Sequence, residues 1–318
     1  SGNHAAPPRH SMTSTISRPR SSILLGCATV ALCLGGCAPA PPTPLRVAMS
    51  PWPGYEFLYL AQQRGFFREE GVEVRLVELE SPGDSRAAFE NGSVDAFAAS
   101  NVELVFSHAQ ARRRPQAFFV LDWSAGGDVL LGDSTVHAIT DLRGRRVALE
   151  AGSVDVLNIW AALASAGLRL TDVELAPMPQ NEKDYAFERG GVQAVQCFPP
   201  ISLELLEHRG VHRLFDSAQA PGLVADVLVA DSAALADDAT RYRAVVRAVL
   251  RAEDWAREHP DEARDVMADR EQLAPEAFAD GMAGLRLVSL AEQRPNLAPG
   301  GPFERALART WDVLVEIG

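Results

Sequence analysis

The sequence predicts an α/β protein of two lobes, each built on one of a pair of repeated parallel-sheet units, with a helical tail ending the chain. The first observation behind this is internal repetition: Ala88-Phe89-Glu90-Asn91-Gly92-Ser93-Val94-Asp95-Ala96 returns 98 residues later as Ala186-Phe187-Glu188-Arg189-Gly190-Gly191-Val192-Gln193-Ala194, with six of nine positions identical. The second is that short β-branched runs alternate with helical patterns around each copy, as in strands joined by crossover helices. The third is that apolar residues beyond residue 240 recur at helical spacing.

Taken in order, residues 45–49 read as a strand, 57–63 as a helix and 72–79 as a strand. A helix then ends by Asn91, and residues 95–98 form a third strand. The second unit repeats this with a strand at 146–149, a helix at 154–166, a strand at 173–176, a helix ending by Arg189 and a strand at 193–197. Gly92 and Gly190 follow helical Ala-Phe-Glu turns, where a left-handed closing residue carries no Cβ penalty if it is glycine. Strands at 211–215 and 223–230 follow, then helices at 241–259, 260–268, 275–290 and 303–317. Having no third repeat to complete, the tail is expected to return to the first lobe. Lobe 1 then comprises residues 45–128 and 226–318 and lobe 2 residues 129–225, with hinge strands at both junctions, near 127–132 and 224–229.

The start of the chain carries an address. Arg18 and Arg20 precede an apolar run at residues 23–34, then Leu34-Gly35-Gly36-Cys37 and a Pro-rich tether at 38–44. The run is shorter than the roughly 20 residues of a membrane span and ends in small residues, the pattern of a signal peptide. Leu-Gly-Gly-Cys resembles the bacterial lipobox, which implies a diacylglycerol-modified Cys37 as mature N-terminus. Residues 1–37 are therefore read as upstream sequence and signal, and the protein is expected in the periplasm or cell envelope, anchored to the membrane.

Composition removes other classes. The 318 residues are 47% hydrophobic and 23% charged, enough apolar content for sizeable cores. A net charge of -12 without a basic stripe argues against nucleic acid as a partner. Cys27, Cys33 and Cys37 crowd the signal and leave Cys197 alone, so no disulfide framework arises; without a CxxC or HExxH pattern, neither a metal nor a cofactor is expected. Phosphate-loop, dinucleotide and nucleophile-elbow motifs are missing, and Cys197 has no evident His partner, so the chain is not expected to be an enzyme.

Open parallel sheets bind ligands at the carboxyl ends of their strands. Trp52 and Tyr55 sit there after the first strand, in a loop stiffened by Pro and Gly, and are read as a stacking wall. Ser100 and Asn101 begin the helix after the third strand, with Gly152 and Ser153 in the matching place of the second lobe; both pairs serve equally as helix caps or as donors to a ligand. Phe198 follows the last repeat strand and is expected to face Trp52. Trp123 and Asp128 lie where the chain leaves the first lobe, and Asp226 where it returns. The two aspartates either accept backbone N–H groups or, beside aromatic rings and without a nearby basic residue, receive a cationic or hydrogen-bond-donating ligand.

The chain resembles the nitrate, sulfonate, taurine and thiamine-precursor group of periplasmic solute-binding proteins that serve ABC importers. The resemblance is carried by Arg46-Val47-Ala48, Pro51-Trp52-Pro53-Gly54-Tyr55, Leu60-Ala61 and Gly65-Phe66-Phe67-Arg68-Glu69-Glu70-Gly71-Val72, then by Gly92-Ser93-Val94-Asp95-Ala96, Asp141-Leu142-Arg143-Gly144, Arg146-Val147-Ala148 and Ala166-Gly167-Leu168. It implies a type II periplasmic-binding-protein fold, a small-molecule ligand held between the lobes, docking on an ABC transporter permease, and a monomer. Where relatives commonly place Trp-Glu-Pro, this chain has Cys197-Phe198-Pro199, so no relative's ligand carries over directly. A ligand-sensing lipoprotein and a pyrimidine-synthesis enzyme of the same fold are the alternatives.

Overall fold

The structure is a computed structural model and describes residues 43–110 and 113–317. In the first sheet β1 (Leu45–Met49) lies between β2 (Val74–Glu78) and β3 (Ala96–Ser100), parallel to both. Helices α1 (Glu56–Gln63), α2 (Phe66–Glu69) and α3 (Pro82–Glu90) make the crossovers, and α4 (Asn101–Ala109) follows β3. The long strand β4 (Pro115–Ser124) leads out of this sheet and β5 (Val129–Gly132) opens the second. There β6 (Arg146–Leu149) lies between β7 (Glu174–Pro177) and β8 (Ala194–Cys197), again parallel to both, with α5 (Asp155–Ser165) and α6 (Lys183–Glu188) crossing over. After α7 (Ile201–Leu206) and β9 (His212–Asp216), β10 (Ala225–Asp231) returns to the first sheet, antiparallel between β3 and β4. The tail adds α8 (Ser232–Asp237), α9 (Ala239–Glu258), α10 (Pro260–Arg270), α11 (Pro275–Ala283), β11 (Leu285–Leu287), α12 (Leu290–Leu297) and α13 (Pro302–Ile317).

The strand orders, β11-β4-β10-β3-β1-β2 and β7-β6-β8-β5-β9, contain the sequence repeat as β3-β1-β2 and β8-β6-β7. Its equivalent arginines do equivalent work. Arg46 Nη2 donates to the Gly92 carbonyl at 3.1 Å and Arg146 Nη1 to the Gly191 carbonyl at 2.5 Å, so each guanidinium ties the turn after the repeated helix to the central strand. Strands β3, β5 and β8 are buried along their whole length because helices or neighbouring loops cover both faces, which is why they read as continuous apolar runs.

The tail packs on the first lobe. Helix α9 buries Tyr242, Val245, Ala248, Val249 and Ala252 and lies on α1 and α2, while α13 lies on α4. Helix α13 also reaches the second lobe, where Trp160 Nε1 donates to Glu316 Oε2 at 3.2 Å.

Two expectations need correction. The helix expected at 275–290 stops at Ala283, and residues 285–287 form an edge strand on β4. Gly284 explains the break. Its carbonyl accepts the N–H groups of Ala125 at 2.8 Å and Gly127 at 3.1 Å, and a Cβ on it would stand 2.6 Å from the Gly127 nitrogen. The apolar runs expected as hinge strands also belong wholly to single sheets, β5 to the second and β10 to the first. The chain passes between sheets at residues 125–128 and 217–224.

Gly284→Ala is therefore expected to destabilise the protein by about 1–3 kcal/mol, the usual cost of forcing atoms into a packed site. The urea midpoint checks this; an unchanged midpoint would mean that the tail and the crossing segment separate freely.

Candidate functional site

Residues from both sheets converge where the parallel strands end, around a cavity of about 20 Å³. That is room for about one water molecule. From the first lobe come Trp52 and Tyr55 after β1, Ser100 and Glu103 at the start of α4, and Asp226 opening β10; Asp128 ends the first crossing, and Val154 and Phe198 come from the second lobe.

The rings form a wall shared between lobes. Trp52 stands edge to face against Phe198 with centroids 5.9 Å apart at 86°, and its centroid is 6.5 Å from that of Tyr55. Two glycines make room for it. A Cβ at Gly127 would meet Trp52 Cη2 at 2.7 Å, and one at Gly54 would meet Asp122 Oδ2 at 2.1 Å, the oxygen to which Trp52 Nε1 donates at 3.4 Å. The indole is held between one lobe's loop and the crossing segment.

Behind the rings lie carboxyl groups with little basic company. Tyr55 donates its hydroxyl proton to Asp226 Oδ1 at 2.6 Å, whereas Asp226 Oδ2 and Asp122 Oδ1 are buried without a partner. Asp122 and Asp226 are register partners on β4 and β10, so like groups stand directly across from each other. Burial, and then the neighbouring Asp122, pushes the Asp226 carboxyl well above the usual range, and burial also raises Asp122. Burial raises Asp128 to about 7. Lys183 is fully buried in the second lobe, but its ammonium donates to Asp155, Gln180 and, at 3.0 Å, the Gln196 carbonyl. Its charge is matched there.

Glu103 joins the lobes. Its Oε2 accepts the Ser100 N–H at 2.9 Å and the Ser100 hydroxyl at 2.5 Å, completing a capping box, while Oε1 accepts the Val154 N–H of the other lobe at 3.1 Å. Burial raises its pKa, and these three donors oppose the rise.

Six sequence-predicted residues meet here: Trp52, Tyr55, Ser100, Asp128, Phe198 and Asp226. Four do not line the cavity. Asn101 is fully engaged elsewhere, donating to the Leu223 carbonyl and to Thr310 and accepting from the Ala225 N–H. Trp123 points to the opposite face of β4, where its Nε1 donates to Asn296 at 3.2 Å. Gly152 turns at φ +75 beside Arg86 and Phe106, and Ser153 donates to the Glu150 carbonyl and accepts the Asp155 N–H. Asp122, Glu103 and Lys183 were not anticipated. Ser100-x-x-Glu103 is a legible capping box, and Asp122 sits one strand position from Trp123, on the face that matters. Cys37 lies outside the described residues. Among those residues, no helix is long and apolar enough to cross a membrane, and no three His, Cys, Asp or Glu side chains are grouped to hold a metal.

Two repeated α/β lobes with two crossing segments and a cavity at the facing strand ends define the periplasmic-binding-protein fold. Residues 52–263 match the family described as NMT1/THI5 like, and the chain belongs to that family. Over 87% of its length it is similar in fold to the alkanesulfonate-binding protein of Xanthomonas axonopodis pv. citri bound to MOPS, with a TM-score of 0.72 and 18% identity across 94% of that chain. It is 22% identical over 272 residues to the formylaminopyrimidine-binding protein of Halalkalibacterium halodurans, covering 82% of this chain and 79% of the relative. A 4-amino-5-hydroxymethyl-2-methylpyrimidine phosphate synthase of Schizosaccharomyces pombe is 29% identical over 157 residues, 46% of this chain and 43% of the enzyme.

The raised carboxyls set a pH dependence. Unfolded, they ionise near pH 4; folded, Asp128 keeps its proton to about pH 7. Their contribution to stability is thus complete below about pH 4 and lost as pH rises toward 7, by about 1.4 kcal/mol per pH unit for each group held protonated. The thermal midpoint of the solute-free protein is expected to be higher at pH 5 than at pH 8, and Asp128→Asn to reduce the difference by that one group's share. A midpoint that rose from pH 5 to 8 would show that these carboxyls have cationic partners in solution.

Proposed function

We propose that this chain is an extracytoplasmic solute-binding lipoprotein that captures a small polar molecule between its lobes and delivers it to an ABC importer. The observation that carries this reading is the composite wall of Trp52, Tyr55 and Phe198, drawn from both lobes and backed by buried polar groups at the strand ends. Such a wall is complete only when the lobes are together, so a ligand that touches both sides favours the closed arrangement by its differential contacts. A cavity of about 20 Å³ admits a solute only if the lobes part. The crossings at 125–128 and 217–224 are the segments about which they move.

The binding proteins among its relatives support this role, and the signal and lipobox at residues 23–37 support export with an anchor at Cys37. The Pro-rich tether at 38–44 then holds the lobes away from the membrane. The synthase relative matches less than half of this chain, and the hydroxyls at the cavity are engaged within the protein, Ser100 in the capping box with Glu103 and Tyr55 on Asp226.

A thermal-shift panel of sulfonates, oxyanions, pyrimidines, amines and betaines against the chain from Ala38 onward tests the reading, because a ligand of the folded state alone raises its midpoint. X-ray scattering of the same samples should show a more compact particle with the active compound. If no compound in the panel moves the midpoint and denatured protein releases no small molecule, the reading fails. Trp52→Ala, which removes the ring that stands against both Tyr55 and Phe198, is expected to weaken solute binding about tenfold, the size of one lost aromatic contact. Cys37→Ser is expected to move the protein from the membrane fraction to the soluble one, and unchanged fractionation would reject the anchor.

A further inference from the structure

We infer that the solute is a small organic cation, seated with its charge against Asp226 and Asp128 and its body against the rings of Trp52, Tyr55 and Phe198, because the chain's own Glu103 carboxylate fills the place where the two lobes would hold an anion. This rests on the solute-binding reading and names the chemistry of that same site.

Paired helix N-termini are ready anion sites, since their first N–H groups have no partner within the helix. Here α4 and α5, of nine and eleven residues, begin on either side of the cavity. One carboxylate serves both: Glu103 accepts at 2.9 Å from the Ser100 N–H that leads into α4 and at 3.1 Å from the Val154 N–H that leads into α5. An incoming sulfonate or nitrate would have to displace a buried group that is covalently part of the protein. It would also find no basic side chain lining the cavity, since Lys183 is bound to Asp155 and Arg86, beside Gly152, to Glu90, and it would stand beside Asp128 and Asp226. At pH 8, above the value of about 7 to which burial raises Asp128, the anion would meet a like charge in surroundings that screen it poorly.

For a cation the signs reverse. Asp226 Oδ2 is buried, lies on a residue that lines the cavity and receives no hydroxyl, amide or basic donor. Asp122 stands across from Asp226 on the next strand, so a positive charge between them and Asp128 relieves a repulsion that the protein otherwise holds down by protonation. The aromatic wall adds cation-π attraction, strongest where water is excluded. Two independent features, an anion place already filled and an unpartnered carboxylate oxygen at the cavity, point to one ligand class.

The test is a calorimetric and thermal-shift comparison at pH 8 of choline, ethanolamine and agmatine with methanesulfonate, nitrate and the neutral choline isostere 3,3-dimethylbutanol. The wild-type chain is expected to bind at least one cation, at least tenfold more tightly than the neutral isostere, and neither anion. Glu103→Ala is expected to acquire binding of methanesulfonate, seen as a raised midpoint that the wild type does not show. Should Glu103→Ala fail to fold, the wild-type comparison decides alone. Binding of methanesulfonate or nitrate by the wild type would overturn the cation inference and leave the solute-binding reading standing. A folded Glu103→Ala that gains no anion binding would overturn the role given to Glu103, and failure of every probe with no co-purified solute would overturn both readings.

Discussion

The contact between the Glu103 carboxylate and the Val154 N–H is a single hydrogen bond, yet the geometry of the cleft follows from it. It places the start of α5 over the start of α4, which in turn brings Phe198, at the end of β8, against the face of Trp52. A buried carboxylate is costly unless donors surround it, and three donors drawn from two lobes do so only when those lobes are in register. The interaction therefore selects one relative placement of the halves instead of merely gluing them.

Around that anchor the interface is unusual in its charge balance. Asp122, Asp128 and Asp226 occupy positions where apolar residues would pack at less cost, since isolated buried carboxyls must either stay protonated or find a positive partner. Lys183 shows how the same chain treats a buried charge meant for structure: paired with Asp155, donating to the Gln180 side-chain oxygen and the Gln196 backbone carbonyl, fully enclosed behind the ring of Phe198. The matched pair in the second lobe contrasts with the acids at the cleft, which lack a positive partner, and that contrast supports the proposed binding site.

Most of the fold was legible because the chain states it twice. The repeat at residues 88–96 and 186–194 fixed the strand-helix alternation, and the strands at 45–49 and 146–149 were read to the residue. What escaped depended on contacts remote in sequence. Strand β4 was not anticipated, although residues 117–121 are a continuous apolar run, because a buried strand and a buried helix segment look alike by periodicity. The break at Gly284 answers to Gly127, more than 150 residues away, and nothing local announces it. In the site, loop aromatics and the hinge aspartates were readable from their place after strands. The error at Trp123 was one of parity: on a strand the next residue faces the other way, so Asp122 has the cleft and Trp123 the core of α12. Asn101 and Ser153 were ambiguous in kind, and the structure spends Ser153 on backbone groups and Asn101 on two backbone groups and the Thr310 hydroxyl.

One small contact near the crossings bears on how such a molecule can move. The hydroxyls of Ser124 and Ser217 meet at 2.7 Å, and Ser217 also accepts the Gly126 N–H at 2.7 Å, so the outgoing and returning segments are stitched side by side. Two independent linkers would let the lobes slide, twist and splay. A stitched pair behaves as one flat ribbon, stiff in its own plane and soft across it, which leaves a single easy direction of bending. For the proposed opening of the lobes, such a pair is the joint of a book rather than the joint of a chain.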